Sequence, residues 1–119
     1  MTDFPGTRLG VIDDLDRMVH EPARLLLLSC LYVVDAADFV FLMRETGLTQ
    51  GNLSSHLSKL EAAGYVAVEK SFVRKRPRTL VCLTAGGRAA FAKYVAAMQR
   101  LLDGAAQFEG KLETGKVNA

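Results

Sequence analysis

The chain has no tryptophan, two cysteines, two histidines and three prolines among its 119 residues. Each shortage excludes something. Two thiols cannot supply the several cross-links of a small disulfide-framed secreted domain. Cys30 and Cys82 both stand in apolar stretches, so two buried, reduced thiols are expected. His20 and His56 form no ligand-spaced cluster with them, so no metal site is expected. Six phenylalanines and three tyrosines anchor one modest core. No apolar run approaches the roughly 18 residues of a membrane span. The longest, around residues 25–28, is broken by Ser29, Asp35 and Asp38. The opening MTDFPGTRLG lacks a basic segment followed by an apolar one, which reads as no secretory signal and a cytoplasmic protein. A glycine-rich phosphate loop, a Ser/His/Asp or Cys/His arrangement and paired carboxylates in a polar setting are also missing, so neither an enzyme nor a cofactor is expected. Asp13, Asp14 and Asp16 are placed to complement a helix dipole. Gly86-Gly87 lacks the lysine of a phosphate loop and reads as close packing beneath Thr84.

What is present is ordinary in amount and uneven in distribution. Half of the chain is hydrophobic and 24% is charged, with a net charge of +2. Residues 1–48 carry four arginines against eight acids, residues 49–100 nine lysines and arginines against two acids, and residues 101–119 two lysines against three acids. One continuous segment therefore holds the positive potential, which points to a polyanionic partner.

Periodicity and punctuation divide the chain. Residues 1–10 read as a flexible arm. Val11, Ile12, Leu15, Met18 and Val19 recur at helical spacing and predict a short first helix. Pro22 suits the first turn of a second helix over 22–34, apolar over most of its surface. Asp38 is placed to cap a third helix over 39–46, which Gly47 ends. Thr49 is placed to cap a fourth, with Leu53, Leu57 and Leu60 as its buried stripe and Gly64 as its end. The period then changes. Residues 65–72 and 78–83 are rich in strand formers, and the charged run between them reads as the turn of a hairpin. Thr84 starts a final helix over about 85–102, stopped by Gly104, and residues 104–119 read as a loosely ordered tail. The expected fold is mainly α with a β-hairpin (α+β), in the order α-α-α-α-β-β-α, with one domain over residues 11–103.

Two features in this order carry chemistry. The turn Gly47-Leu48-Thr49 joins two helices as a helix–turn–helix does. The outward side of the second of these helices (Gly51, Ser54, Ser55, Ser58, Lys59, Ala62) has no carboxylate and no large apolar side chain. An ordinary solvated helix face mixes Glu with Lys. Small hydroxyl residues with one lysine instead permit close approach to a nucleic-acid groove. Gln50 and Asn52 lie in the first turn, the part that enters a major groove. His56 flanks the buried stripe, either to reach a phosphate or to pack on the hairpin. The second feature is the hairpin tip. Arg74, Lys75, Arg76 and Arg78 repel one another unless an anion rewards them, and the minor groove with its flanking phosphates does so.

These residues resemble a known family. Thr49-Gln50-Gly51-Asn52-Leu53-Ser54-Ser55-His56-Leu57-Ser58-Lys59-Leu60-Glu61-Ala62-Ala63-Gly64-Tyr65-Val66, the basic hairpin, and then Leu83-Thr84-Ala85-Gly86-Gly87-Arg88-Ala89-Ala90-Phe91 look like the small winged helix–turn–helix transcriptional regulators akin to the MarR and ArsR groups. The likeness covers residues 16–102. It implies a homodimeric, DNA-binding regulator, a repressor by default, with residues 50–63 as recognition helix and 73–78 as wing. DNA contacts then fall on Thr49, Gln50, Gly51, Asn52, Ser54, Ser55, His56, Ser58, Lys59, Arg74, Lys75, Arg76 and Arg78. The paired cysteines, or clustered histidines and acids, of metal-sensing ArsR relatives are missing here.

Dimerisation is also expected on physical grounds. Phe91, Tyr94, Val95, Met98, Leu101 and Leu102 make an apolar stripe longer than so small a domain can cover, and with Leu15 and Val19 they form the expected interface. Two-fold symmetry then demands a near-palindromic duplex site. Cys30, Phe91 and Tyr94 are placed to line an effector pocket, although no polar signature names a ligand. The rival function is a winged helix used only for protein–protein contact, which has no need of the cationic wing.

Overall fold

The computed structural model describes Gly10, Ile12 and residues 15–113. The chain divides into two units, one of residues 16–92 and the other made of the remainder.

The first unit opens on a turn. The Asp16 carboxylate accepts hydrogen bonds from the backbone N–H groups of Met18 (2.8 Å) and Val19 (3.4 Å), and the Asp16 carbonyl accepts one from His20 (2.7 Å). An aspartate that bonds its own following backbone favours such a turn over a continuing helix. Of the helix expected over residues 11–19, Gly10 and Ile12 are helical, residues 17–20 are turn and bend, and Val11, Asp13 and Asp14 lie outside the described residues.

Helix α1 (Pro22–Val34) has Pro22 in its first turn and Glu21 as its cap, the carboxylate accepting from the Arg24 N–H at 2.8 Å. Leu27, Leu28 and Leu31 are fully buried. The helix ends at Asp35, where φ is +66° and ψ is −42°, a backbone conformation rare for a residue with a side chain. This reversal delivers the chain into strand β1 (Ala36–Asp38), which the sequence did not announce. The Asp35 carbonyl accepts from the Leu83 N–H at 2.8 Å. The Asp35 carboxylate pairs with Arg88, which also lies over the Tyr32 ring, 4.6 Å from its centroid.

Helix α2 (Phe39–Thr46) is capped by Asp38, whose carboxylate accepts from the Phe41 N–H at 2.7 Å, and closed by Gly47 at φ +73°. That left-handed backbone suits a residue without a Cβ. Helix α3 (Gln50–Ala62) follows after three residues, capped by the Thr49 hydroxyl. Strands β2 (Val66–Val73) and β3 (Arg76–Leu83) form the hairpin, and β1 adds to the other edge of β3 to give an antiparallel sheet in the order β1-β3-β2. Ala37 faces Val81 in one pairing and Val68 faces Val81 in the other. Val66 and Val81 close the sheet side of the core, against Leu42, Leu53, Leu57 and Leu60 from the helices.

Helix α4 (Ala85–Glu113) begins under Thr84, whose hydroxyl accepts from the Gly87 N–H at 2.9 Å and donates to the Gly64 carbonyl at 2.6 Å. A Cβ on Gly87 would stand 2.1 Å from the Tyr65 carbonyl oxygen, so glycine is required there by contact with backbone. The expected packing under Thr84 thus falls on Gly87 alone, since a Cβ on Gly86 meets nothing nearer than 3.6 Å.

In the second unit α4 continues through Gly104 to Glu113 instead of ending near Leu102. One glycine costs a helix about 1 kcal/mol relative to alanine and does not end it unless the backbone turns left-handed. Leu101, Leu102, Ala105 and Ala106 around it are strong helix formers. Tyr94 and Ala97 are buried, whereas Val95, Leu102 and Phe108 are exposed. Both cysteines are free and half-buried, less enclosed than expected.

Candidate nucleic-acid interface

Helix α3 reaches its position through apolar packing. Leu53 and Leu60 are fully buried and Leu57 nearly so. That leaves Gln50, Gly51, Asn52, Ser54, Ser55, Ser58 and Lys59 exposed, while Thr49, also exposed, accepts from the Asn52 N–H at 3.2 Å. His56 goes elsewhere. Its Nδ1 lies 3.3 Å from an Arg24 guanidinium nitrogen and 3.8 Å from the Glu21 carboxylate. Arg24 in turn donates from Nε to the Met18 carbonyl at 2.7 Å. His56 therefore ties α3 to the start of α1 through Nδ1. Burial alone would raise the Glu21 carboxyl, but the Arg24 N–H and the charges of His56 and Arg24 outweigh it and hold the group below the ordinary carboxylate range. The carboxylate is thus kept charged where it caps α1.

The hairpin is built by alternation. Val66, Val68, Lys70 and Phe72 share one face with their cross-strand partners Leu83, Val81, Thr79 and Pro77. Burial of Val66 and Val81 marks this as the core side. Beyond the core, residues 69–78 are all exposed. The turn consists of Arg74 (φ +54°) and Lys75 (φ +66°) between the paired residues Val73 and Arg76. A two-residue hairpin loop with both φ values positive favours Asn-Gly, because a Cβ strains that backbone. Here the strained positions carry two cations. Arg76 and Pro77, expected in the turn, belong to β3 together with Arg78. Pro77 is tolerated because β1 flanks β3 only from Leu80 to Cys82, so the outer edge at Pro77 is free and its missing N–H breaks no pairing.

The two elements meet across a groove of about 540 Å³. Gln50, Ser54 and Ser58 of α3 form one wall, Lys70, Pro77, Arg78 and Thr79 of the hairpin the other, with Asp38, Phe39 and Val40 at one end. Lys70 and Thr79 were not among the expected site residues. Strict alternation from Val66 was the signal that places Lys70 on the helix side. The groove also contains a carboxylate that the outward side of α3 was expected to lack, Glu61, in the last turn of the helix. The residues 50, 54, 58 and 61 follow one helical stripe, so Glu61 belongs with the serines rather than with the buried leucines. The other acid, Asp38, is engaged as the cap of α2. Among the described residues the ion pairs are His56–Glu21 and Arg88–Asp35, and neither uses a hairpin cation.

Of the expected dimer-interface residues, Val19 is fully buried, Tyr94 and Leu15 nearly so, and Val95 and Leu102 are 48% and 56% exposed. Burial pushes the Tyr94 hydroxyl up from its ordinary value. Among the described residues no group of three or more His, Cys, Asp and Glu is placed to hold a metal ion, and no helix is long and apolar enough to cross a membrane.

A helix–turn–helix followed by a hairpin that shares a groove with its second helix defines a winged helix. Residues 23–102 match the model of the winged helix DNA-binding domain family, and the chain belongs to that family. The uncharacterised protein MJ0432 of Methanocaldococcus jannaschii is 35% identical over 79 residues, which are 66% of this chain and 86% of that protein. A transcriptional regulator homologue from Pyrococcus horikoshii OT3 aligns with a TM-score of 0.74 at 30% identity, over 82% of this chain and 95% of that one. BpsR of Bordetella bronchiseptica, whose DNA binding is regulated by 6-hydroxynicotinic acid, shares the fold at a TM-score of 0.63 and 20% identity, over 82% of this chain and 74% of that one. The family match and the likeness to a transcriptional regulator homologue make the chain a winged-helix DNA-binding regulator.

Proposed function

We propose that the protein binds duplex DNA sequence-specifically as a homodimer and represses transcription from a near-palindromic operator. The observation that carries this is the shared groove, with Gln50, Ser54 and Ser58 on one wall and Lys70 and Arg78 on the other. In this reading the first turns of α3 enter the major groove. Thr49, Gln50, Asn52, Ser54, Ser55 and Ser58 present amide and hydroxyl groups to base edges and phosphates, Gly51 allows close approach, and Lys59 meets the backbone. Arg74, Lys75, Arg76 and Arg78 lie along the minor groove and its phosphates. Glu61, in the last turn of α3, stays clear of the end that enters the DNA. His56 acts from behind by holding α3 to α1.

The dimer reading rests on Val95 and Leu102, large apolar side chains exposed on α4 one heptad apart, with Phe108 also exposed further on. Two-fold symmetric reading of duplex DNA then calls for two copies of α3 about one DNA turn, roughly 34 Å, apart. Repression is the default role of the regulators this chain resembles.

Sequencing of genomic fragments captured by the purified protein tests specificity and half-site spacing together. Fluorescence anisotropy on the selected duplex then tests the electrostatics. Affinity should fall steeply with salt, and the double variant R74A/R76A should weaken binding to every duplex and lower the salt slope by about one to two. Salt-independent binding, or none, overturns the DNA reading and favours a protein-contact module. A monomer in sedimentation at micromolar concentration overturns the dimer.

A further inference from the structure

The wing carries more than charge. Phe72 is 74% exposed, more than any other aromatic ring of the described residues. It lies on the face of the hairpin that carries Lys70 and lines the groove, directly opposite Pro77. The pair that closes a two-residue hairpin, here Val73 with Arg76, is hydrogen-bonded, so the next pair, Phe72 with Pro77, is the non-hydrogen-bonded kind, whose side chains stand closest. A phenyl ring and a pyrrolidine ring thus make one apolar ridge, a single residue pair behind the cationic tip. Strand propensity explains a phenylalanine here only in part, since the more polar Thr or Tyr serves a solvated strand equally well.

The surroundings restrict what covers this ridge. Lys70 shares its face, Arg74 and Lys75 form the adjacent turn, and Arg76 and Arg78 flank Pro77 along β3; none is in an ion pair with an acid among the described residues. Its occupant must therefore be anionic and also present apolar surface within one residue pair of the charge. The minor groove of duplex DNA meets both demands, with phosphates along its rims and the carbon–hydrogen edges of deoxyribose as its walls. The ridge is continuous with the groove lined by Gln50, Ser54 and Ser58, so one duplex reaches both.

We propose that Phe72 and Pro77 pack against the sugar walls of the minor groove, so that the wing holds DNA by a hydrophobic contact as well as by charge. This rests on the DNA-binding reading above. It adds Phe72, Pro77 and Lys70 to the interface and gives the wing a way to sense groove width, because an apolar ridge fits only a groove of matching shape.

Salt dependence separates the two contributions. An apolar contact releases no counterions, so its loss lowers affinity without changing the slope of log affinity against log salt. The full-length protein and its F72A, F72L and R76A variants are titrated against the selected duplex over a salt series, after thermal melts confirm equal folding. F72A is expected to weaken binding about tenfold at every salt concentration with the wild-type slope, as befits loss of a partly buried ring. F72L should retain most of the affinity, and R76A should flatten the slope. If the wild-type protein binds and F72A binds equally well, or flattens the slope as R76A does, this inference is overturned while DNA binding stands. If F72A alters only the oligomeric state, the ridge belongs to a protein contact and the inference is likewise overturned. If the wild-type protein binds no duplex, the functional reading itself has failed.

Discussion

Helix α3 and the β2–β3 hairpin line one groove, yet the chain holds them by different means. Leu53, Leu57 and Leu60 sink α3 into the core, Thr49 caps it, and His56 ties it to Glu21 and Arg24. The hairpin is anchored only at its root, through Val66 and Val81, and every residue from 69 to 78 is exposed. Substitutions in α3 are therefore expected to divide sharply between those that unfold the domain and those that alter only DNA binding. In the outer wing nearly all the effect is expected to fall on binding, because there is little packing to lose.

The largest break in this contrast comes from the stripe of α3. L53A should cost about 2–5 kcal/mol in urea denaturation, since Leu53 is fully buried. S54A beside it should stay within about 0.5 kcal/mol while weakening DNA binding. Next is the root of the hairpin. G87A drives a Cβ to 2.1 Å from the Tyr65 carbonyl oxygen and should destabilise by about 1–3 kcal/mol, because backbone on both sides must shift. G86A, with nothing nearer than 3.6 Å, should be neutral or up to about 1 kcal/mol stabilising by helix propensity. A thermal melt of the two variants side by side separates a required glycine from a dispensable one.

Tyr65 adds a pH test at the same root. Its hydroxyl donates to the Asp16 carboxylate. That hydrogen bond, with burial and the Asp16 charge, pushes its pKa up to about 12 from an ordinary 10.0. Because the folded value is raised, this stabilisation is complete below pH 10 and is lost as the pH rises toward 12. Y65F should cost about 0.5–1.5 kcal/mol at neutral pH and remove this contribution to alkaline destabilisation. Denaturation curves from pH 7 to 11.5 check both. The smallest effect belongs to the tip. K75G relieves a left-handed backbone and should stabilise by up to about 1 kcal/mol while reducing DNA affinity. A loss of both stability and affinity would show that the tip is packed rather than free.

Much of the helical layout was legible because capping chemistry is local. Pro22, Asp38, Gly47 and Thr49 stand where the sequence places them, each acting on backbone within a few residues. The leucine stripe of α3 was legible for the same reason, as was the basic hairpin. Strand β1 was not, because Ala36-Ala37-Asp38 has little strand propensity and forms only through pairing with Leu80, Val81 and Cys82. Arg76 and Pro77 looked like turn because charge and proline disfavour packed strands, and the exposed outer edge of β3 removes that objection. The tie of His56 to Glu21 and Arg24 and the place of Glu61 in the groove were not legible either. Helical spacing gives a side chain's direction around its own axis but not what stands opposite it.

The amino-acid sequence alone determined the ends of α1, α2 and α3, the leucine stripe of α3 and the concentration of cations between residues 49 and 100, since each is written in the residues themselves or their near neighbours. Only the tertiary structure decided that the serines of α3 and Lys70 and Arg78 of the hairpin face one groove, that Glu61 joins them, and that Phe72 stands bare beside the cations. Those outcomes depend on where the hairpin pairs and how its root packs against Gly87, contacts between residues distant in sequence that no local pattern encodes.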